Sequence, residues 1–451
     1  MSKPAGSTGT LLREVGLPGA VFMGLGSIVG TGLFISLGVA AGVAGSAILL
    51  ALPLAALLAL ANGLSSAQLA ATHPVSGGTY EYGYRFLSPG LGFTAGLMFL
   101  LAKGASAATA ALGVGGAILL LMGDGAAGGL PLVALGSVAV LLITLLVAGG
   151  IRRSNFANLI VVGITLLLFA WFLVAGVLSA TGDGGALVDV QGVFEGLEAA
   201  GAGALFHATA LLFVAFTGYG RIATLGEEVK EPRRTIPRAI WTTLTVVAVL
   251  YIGVAAVALS VLGPEGFAQA TDETSAPLQV AAAAMGSPAL TLAMGIAAIT
   301  AMAGVLLNLI LGLSRVALAM GRRGDLPGAL GRVHVGSGSP RVAVVVVGVA
   351  IFLMVLLGDV RATWSFSAFT VLIYYGITNL AALRLSPEQR LYPRWVAVAG
   401  LLTCFFLAFQ VEARYWAVGL GLLALGHLGR LAFRGVGGGP GSRPPTPASQ
   451  P

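Results

Sequence analysis

Twelve times along this chain an apolar run of at least 17 residues ends at charges or turn residues. The runs lie near 17–40, 45–70, 91–121, 131–149, 155–179, 204–226, 237–262, 286–316, 342–358, 362–383, 395–411 and 414–432. A hydrocarbon layer about 30 Å thick takes roughly 20 helical residues to cross. Inside it the backbone must satisfy its own N–H and C=O groups, so only helices or closed barrels span it. The runs are continuous rather than alternating, which selects helices. With 57% hydrophobic and only 9% charged residues and a mean hydropathy of +0.96, the chain is expected to be an all-α integral membrane protein of about 12 transmembrane helices.

Basic residues orient these spans. With the amino terminus inside, 21 of the 24 Lys and Arg fall on inner segments or helix ends; Arg361 and Arg414 fall outside and Lys103 within the membrane. The outer loops instead carry Asp124, Asp183, Asp189, Glu195, Glu198, Glu265, Asp272 and Glu273. The positive-inside rule then places both termini in the cytoplasm of a plasma-membrane protein. Residues 1–14 are expected as a short cytoplasmic segment, 15–434 as one transmembrane domain, and 435–451, rich in Gly and Pro, as a disordered cytoplasmic tail. The net charge of +7 is spread over short loops, which argues against nucleic acid and leaves the lipid bilayer as the expected partner.

The first run contains Gly24-Leu-Gly-Ser-Ile-Val-Gly-Thr-Gly-Leu-Phe34. Four glycines among these residues are poor helix material at a depth where water cannot replace lost backbone bonds. Two readings are open: the glycines let helices pack closely, or the helix breaks at Gly30-Thr31-Gly32. A break frees the carbonyls that end one half-helix and the N–H groups that start the next. Those dipole ends offer an ammonium site and a carboxylate site side by side, a cradle for a zwitterion. The sixth run carries a second interruption, at Gly218 and Gly220 within Phe213-Val-Ala-Phe-Thr-Gly-Tyr-Gly220. Interrupted helices at matching places in two halves point to an inverted-repeat transporter with its site at the midplane. Downstream, Glu227, Glu228, Lys230, Arg233 and Arg234 crowd the inner exit, and Thr235 and Pro237 read as the start of the seventh span. The tyrosine-rich loop from Pro74 to Phe86 suits a short amphipathic helix, either an interfacial anchor or part of an inner gate.

Together these residues resemble the amino acid–polyamine–organocation superfamily, most closely its cationic amino acid transporter branch and related bacterial amino acid permeases. Gly26-Ser-Ile-Val-Gly-Thr-Gly-Leu-Phe34 is similar to the family's first-helix motif. Phe213 through Pro237 resembles its sixth helix and following loop, and Ser314-Arg-Val-Ala-Leu-Ala-Met-Gly-Arg-Arg-Gly-Asp-Leu-Pro327 its signature after helix eight. The resemblance covers residues 12–385. It implies a five-plus-five inverted repeat (about 15–180 and 200–385) with discontinuous helices one and six, two further helices (about 394–434), and secondary transport of amino acids. It also implies that the N–H groups of Thr31 and Gly32, beside Gly30, hold the substrate carboxylate. The carbonyls of Ile28 and of Phe213 through Phe216 would take the ammonium, Phe216 and Tyr219 would gate or wall the pocket, and Thr217 and Gly218 count among the substrate-binding residues. Two departures stand out. Members of this branch commonly have an acid where Gly220 stands, and similar proton-coupled permeases have a helix-five lysine where this chain has Thr165.

All 17 carboxylates can be placed in loops or near helix ends, but Lys103 cannot. It lies roughly 18 Å into the third run, at about 1.5 Å per residue. A charged lysine there costs on the order of 3 kcal/mol, and that cost falls on its charged form alone, so Lys103 is a candidate to gain and lose a proton during transport. Its alternative is a structural lysine satisfied by carbonyls. With no negative partner at depth, neutral amino acids are the expected substrates, acidic ones second. The expected coupling ion is the proton. Sodium-coupled transport or exchange on the same fold is the first rival, a non-transporting sensor the second. No cofactor, metal or catalytic group is expected: no ligand cluster or triad falls at depth. His207 is placed near the outer end of the sixth span, Asn308 and Asn379 as interhelical hydrogen-bond partners, and Cys404 as a small core residue.

Overall fold

The computed structural model describes residues 15–73, 77–123, 129–150, 155–182, 186–223, 229–334 and 339–436. The first apolar run folds as two half-helices, α1 (Leu17–Ile28) and α2 (Leu37–Ala44), joined through a π-helical turn (Gly32–Ser36). The second run is α3 (Ile48–Thr72), followed by the short α4 (Thr79–Phe86). Runs three to five are α5 (Pro89–Leu121), α6 (Leu130–Ala148) and α7 (Asn155–Gly182). The described part of the sixth run, 204–223, lies within α8 (Val190–Phe216), a 3-10 turn (Thr217–Tyr219) and α9 (Gly220–Ala223). Beyond it come α10 (Pro232–Thr274), α11 (Pro277–Ala284), α12 (Pro288–Arg322), α13 (Arg341–Val355), α14 (Val360–Ala382), α15 (Arg394–Ala408) and α16 (Ala413–Val436). Among the described residues there is no strand, only an isolated bridge between Val15 and Val229.

Helix starts follow from sequence. Ser88, Asp189, Ser287 and Asp359 each accept an N–H three residues on, and Pro89 and Pro288 fill the first helical position, where a missing N–H does no harm. Two long helices bend where glycine alone is comfortable, at Gly201 (φ 79°) and Gly263 (φ 69°). These bends set residues 190–200 and 264–274 off from the rest of their helices. The seventh span begins earlier than expected: Pro232 takes the first turn, Pro237 lies inside the helix, and the Thr235 hydroxyl turns back to the Lys230 carbonyl.

The described residues of each of the twelve apolar runs are mainly helical. Eight helices among the described residues are long and apolar enough to cross a membrane, or nine if α15 and α16, bent by 111°, count as one span. The remainder fall short singly, because the first run is broken in two and α13 has 15 residues. At the centre, α5 packs against α12 and α14 and buries an alanine- and glycine-rich face from Ala102 to Ala117. Asn379 donates to Asn62 across α14 and α3 at 2.6 Å, as an interhelical partner should, and the buried Cys404 thiol donates to the same oxygen at 3.4 Å. Asn308 does not behave that way; its buried Nδ2 has no hydrogen-bond partner among the described residues. The amphipathic helix forms as α4, but Tyr80 and Tyr82 are buried against the bundle rather than spread on a lipid surface. Residues 1–14, Glu227, Glu228 and the tail beyond 436 lie outside the described residues.

Candidate functional site: two broken helices and the side chains that cap them

α1 ends at Ile28 because Val29 turns extended (ψ 99°) and Gly30 follows. The second half of the span then opens at Thr31 and Gly32; the Gly30 carbonyl collects the N–H groups of Leu33 (2.9 Å) and Phe34 (3.0 Å). Both readings of the glycines hold. They break the helix, and they also let it sit tight: a Cβ on Gly30 would lie 2.4 Å from Val305 Cγ2, and one on Gly218 would lie 2.4 Å from the Ser27 carbonyl oxygen. The sixth span is interrupted more gently. Thr217-Gly218-Tyr219 tightens into a 3-10 turn between Phe216 and Gly220, both of which keep helical backbone angles.

Side chains from three other helices meet the carbonyls at these breaks. Tyr251 of α10 donates its hydroxyl to the Ile28 carbonyl at 3.0 Å and lies 3.3 Å from that of Ala215. Tyr375 of α14 donates to the Thr217 carbonyl at 3.2 Å, and Trp364 Nε1 to that of Leu211 at 3.0 Å. Lys103 of α5 donates from Nζ to Thr217 Oγ1 at 2.6 Å, and that hydroxyl donates on to the Val214 carbonyl. The lysine therefore sits against the carboxyl end of α8, where a helix favours positive charge. Its carbonyl contact, expected only as an alternative, is relayed through threonine.

Aromatic rings enclose the same place. Phe213, Phe216 and Tyr219 are fully buried; Phe216 lies 5.1 Å from the Tyr251 ring, while Phe213 and Tyr219 lie 5.6 and 5.4 Å from Tyr375. A Cβ on Gly220 would be 3.3 Å from the Tyr375 hydroxyl, so this glycine borders the aromatic wall. Thr165 lies elsewhere, donating to the Val161 carbonyl and lining a cavity of about 10 Å³ with Gly26, Val29, Ala301 and Gly304 beside the first break. Ile28, Gly30, Thr31, Gly32 and Phe213 through Tyr219 are thus brought together with Lys103. Arg221, next to Gly220, is exposed. Among the described residues no carboxylate lies at this depth and no cluster could hold a metal ion. Sequence reasoning missed Tyr251, Trp364 and Tyr375. Their signal was present: a tyrosine or tryptophan within an apolar span needs a polar partner, and freed carbonyls supply it.

Both ends of the site are tied. Lys230 N–H donates to the Val15 carbonyl at 2.9 Å on one side, and Arg361 pairs with Asp272 at 2.8 Å on the other. A bundle of membrane-length helices, two of them interrupted face to face, defines a membrane transporter whose centre lies at the interruptions. The amino acid permease family model matches residues 19–419. An uncharacterised transporter of Mycobacterium tuberculosis (strain ATCC 25618 / H37Rv) is 40% identical over 416 residues, 92% of this chain and 90% of the relative. A branched-chain amino acid permease of Bacillus subtilis (strain 168) is 29% identical over 347 residues (74% and 72%). A chloroplastic cationic amino acid transporter of Arabidopsis thaliana is 27% identical over 338 residues (72% and 58%). The chain belongs to the amino acid permease family, within the amino acid–polyamine–organocation superfamily.

Proposed function

We propose that this permease carries neutral amino acids across the plasma membrane, with both termini in the cytoplasm, by alternating access coupled to protons. Its transmembrane domain is read as two five-helix repeats, about 15–180 and 200–385, followed by the helices within 394–434. The substrate carboxylate would meet the N–H groups of Thr31 and Gly32, and the ammonium the carbonyls of Ile28 and of Phe213 through Phe216. Phe216 and Tyr219 would form the wall.

The observation that carries the substrate class is the charge at the breaks: one cation, Lys103, at 2.6 Å from Thr217, and no carboxylate at that depth among the described residues. A cationic side chain would add a second positive charge without a partner, which a site of low dielectric penalises by several kcal/mol. The branched-chain substrate in the name of the Bacillus relative supports this reading. Lys103 is also the group we assign to proton carriage, since it can report its protonation state directly to the turn in the sixth span.

The test is uptake of labelled leucine into proteoliposomes, with proton and sodium gradients imposed separately. Stimulation by the proton gradient is expected. Stimulation by sodium alone would remove the coupling role from Lys103. It would favour the second reading, a sodium-coupled carrier, which rests on the small cavity at Thr165, with room for about one water-sized particle.

A further inference from the structure

The last span, α16, is not needed to build either break, yet it sends a buried charge toward the rest of the bundle. Arg430 is 8% exposed and Asp325, just past the end of α12, is 2% exposed. Arg430 Nε donates to Asp325 Oδ1 at 2.8 Å. The other carboxylate oxygen accepts the hydroxyls of Tyr80 (2.9 Å) and Tyr84, both on α4, and Arg430 Nη2 donates to the Tyr84 hydroxyl at 2.8 Å. Around this core, Arg323 lies 4.2 Å over the Tyr84 ring and bonds Glu81 at 2.8 Å. His427 of α16 meets Thr94 of α5 at 2.9 Å. An arginine, a carboxylate and two tyrosines therefore fasten α16, the end of α12 and α4 into one knot.

The knot leads to the site. Thr79, the first residue of α4, bonds α14 twice, its N–H to the Tyr374 hydroxyl at 3.3 Å and its own hydroxyl to Thr378 at 2.7 Å. The next residue along α14 is Tyr375, which holds the Thr217 carbonyl at the broken sixth span. Buried charge pairs contribute little net stability, because desolvation offsets attraction, but losing one partner is severe. Such a pair is suited to hold one arrangement against another.

We propose that Arg430 is a latch: through Asp325 and the α4 tyrosines it holds α4 under α14, and its release permits the site to open at the end that carries Val15 and Val229. This rests on the transport reading above. Its test, however, needs no substrate, so a protein that fails to carry leucine still reports on the latch.

Cys404, the one cysteine, is replaced by alanine, and a reporter cysteine is placed at Ala223, a buried residue between the site and the Val229 end. The protein is held in lipid nanodiscs, and labelling by a water-soluble maleimide is timed. The double variant Asp325→Leu/Arg430→Met removes both charges at similar volume, which a fold tolerates better than one orphaned charge. It is expected to label roughly tenfold faster or more, as a shifted population requires. Arg430→Lys and Tyr84→Phe, milder changes that keep the charge pair or the ring, are expected to label at intermediate rates. A second reporter, Ala44→Cys in the outer half of the first span, is expected to label no faster. Unchanged labelling at the Ala223 reporter in all three variants overturns the latch, as does a rise at both reporters, which would mean general loosening.

Discussion

Gly218→Ala places one methyl group on the turn that joins the halves of the sixth span. Its Cβ would lie 2.4 Å from the Ser27 carbonyl oxygen and 2.5 Å from Ile28 Cγ1. Carbon contacts settle near 3.5–4.0 Å, so the first and sixth spans must part by roughly 1 Å. The near atom is backbone, which has no rotamer to change. Overpacking of this kind costs about 1–3 kcal/mol. Moving Ile28 also stretches its carbonyl away from the Tyr251 hydroxyl, for about 1 kcal/mol more. A total of about 2–4 kcal/mol lowers the population of the closed arrangement roughly thirtyfold to several hundredfold, at 1.4 kcal/mol per factor of ten. Gly30→Ala meets a different obstacle, Val305 Cγ2 at 2.4 Å, which is side chain. Valine is stiff at χ1 and cannot swing clear, but Val305→Ala removes the obstacle. Leucine uptake and thermal unfolding are measured for the two single variants and for each combined with Val305→Ala. Gly218→Ala should abolish uptake with no rescue, whereas Gly30→Ala should recover about tenfold or more when Val305 is shortened. Wild-type uptake by Gly218→Ala, or no rescue of Gly30→Ala, would refute the close approach of these helices as the reason for the glycines.

Lys103→Met should flatten the pH dependence of leucine uptake while exchange of labelled for unlabelled leucine continues; an unaltered pH profile makes the residue structural. Asn379→Leu leaves the Asn62 oxygen short of a donor and should lower stability by about 1–3 kcal/mol, whereas Asn62→Leu/Asn379→Leu should recover much of it in thermal unfolding. Outside the spans, burial and then the nearby Arg85 hold the His73 imidazole below its ordinary value. The unfolded chain therefore binds the proton more readily, so this contribution to stability is present above about pH 6.5 and is lost as pH falls below it. His73→Gln should remove that part of the acid sensitivity in denaturation measured from pH 8 to 5.

Much of this was written in the sequence because a bilayer leaves few choices. Continuous apolar runs could only be helices, and glycines at two matching places could only be tolerated where something else satisfied the backbone. Lys103 was legible for the same reason: a lone charge at mid-depth must find a partner. What stood beyond reach was which partner. The relay through Thr217 to Val214 requires α5 and α8 to be neighbours, and nothing local in either helix says so. Asp325 was counted only among the carboxylates of loops and helix ends, yet α4 and α16 fold over it. The start of the seventh span slipped because two prolines, Pro232 and Pro237, give the same signal, and only the backbone at Glu231 distinguishes them. Tyr251 and Tyr375 were legible in kind but not in target.

That target matters for how a substrate would bind. The carbonyls assigned to the ammonium include those of Ile28 and Ala215, and one hydroxyl, Tyr251 Oη, already lies 3.0 and 3.3 Å from them. A hydroxyl has one proton, so it can satisfy only one of the pair fully at a time. An arriving ammonium trades a neutral bond for a charge-assisted one about twice as strong, a net gain on the order of 1 kcal/mol. Tyr251→Phe then acts unequally on the two states. The empty protein loses the bond outright, while the loaded protein keeps both carbonyls covered by the ammonium. Leucine should bind roughly fivefold tighter to Tyr251→Phe, its empty form should melt earlier, and the stabilisation added by leucine should exceed that in the parent protein. Slower release should accompany tighter binding, so turnover should fall. Lower stability with unchanged leucine affinity would mean that these carbonyls do not receive the ammonium, and the site at the first break would have to be redrawn around other groups.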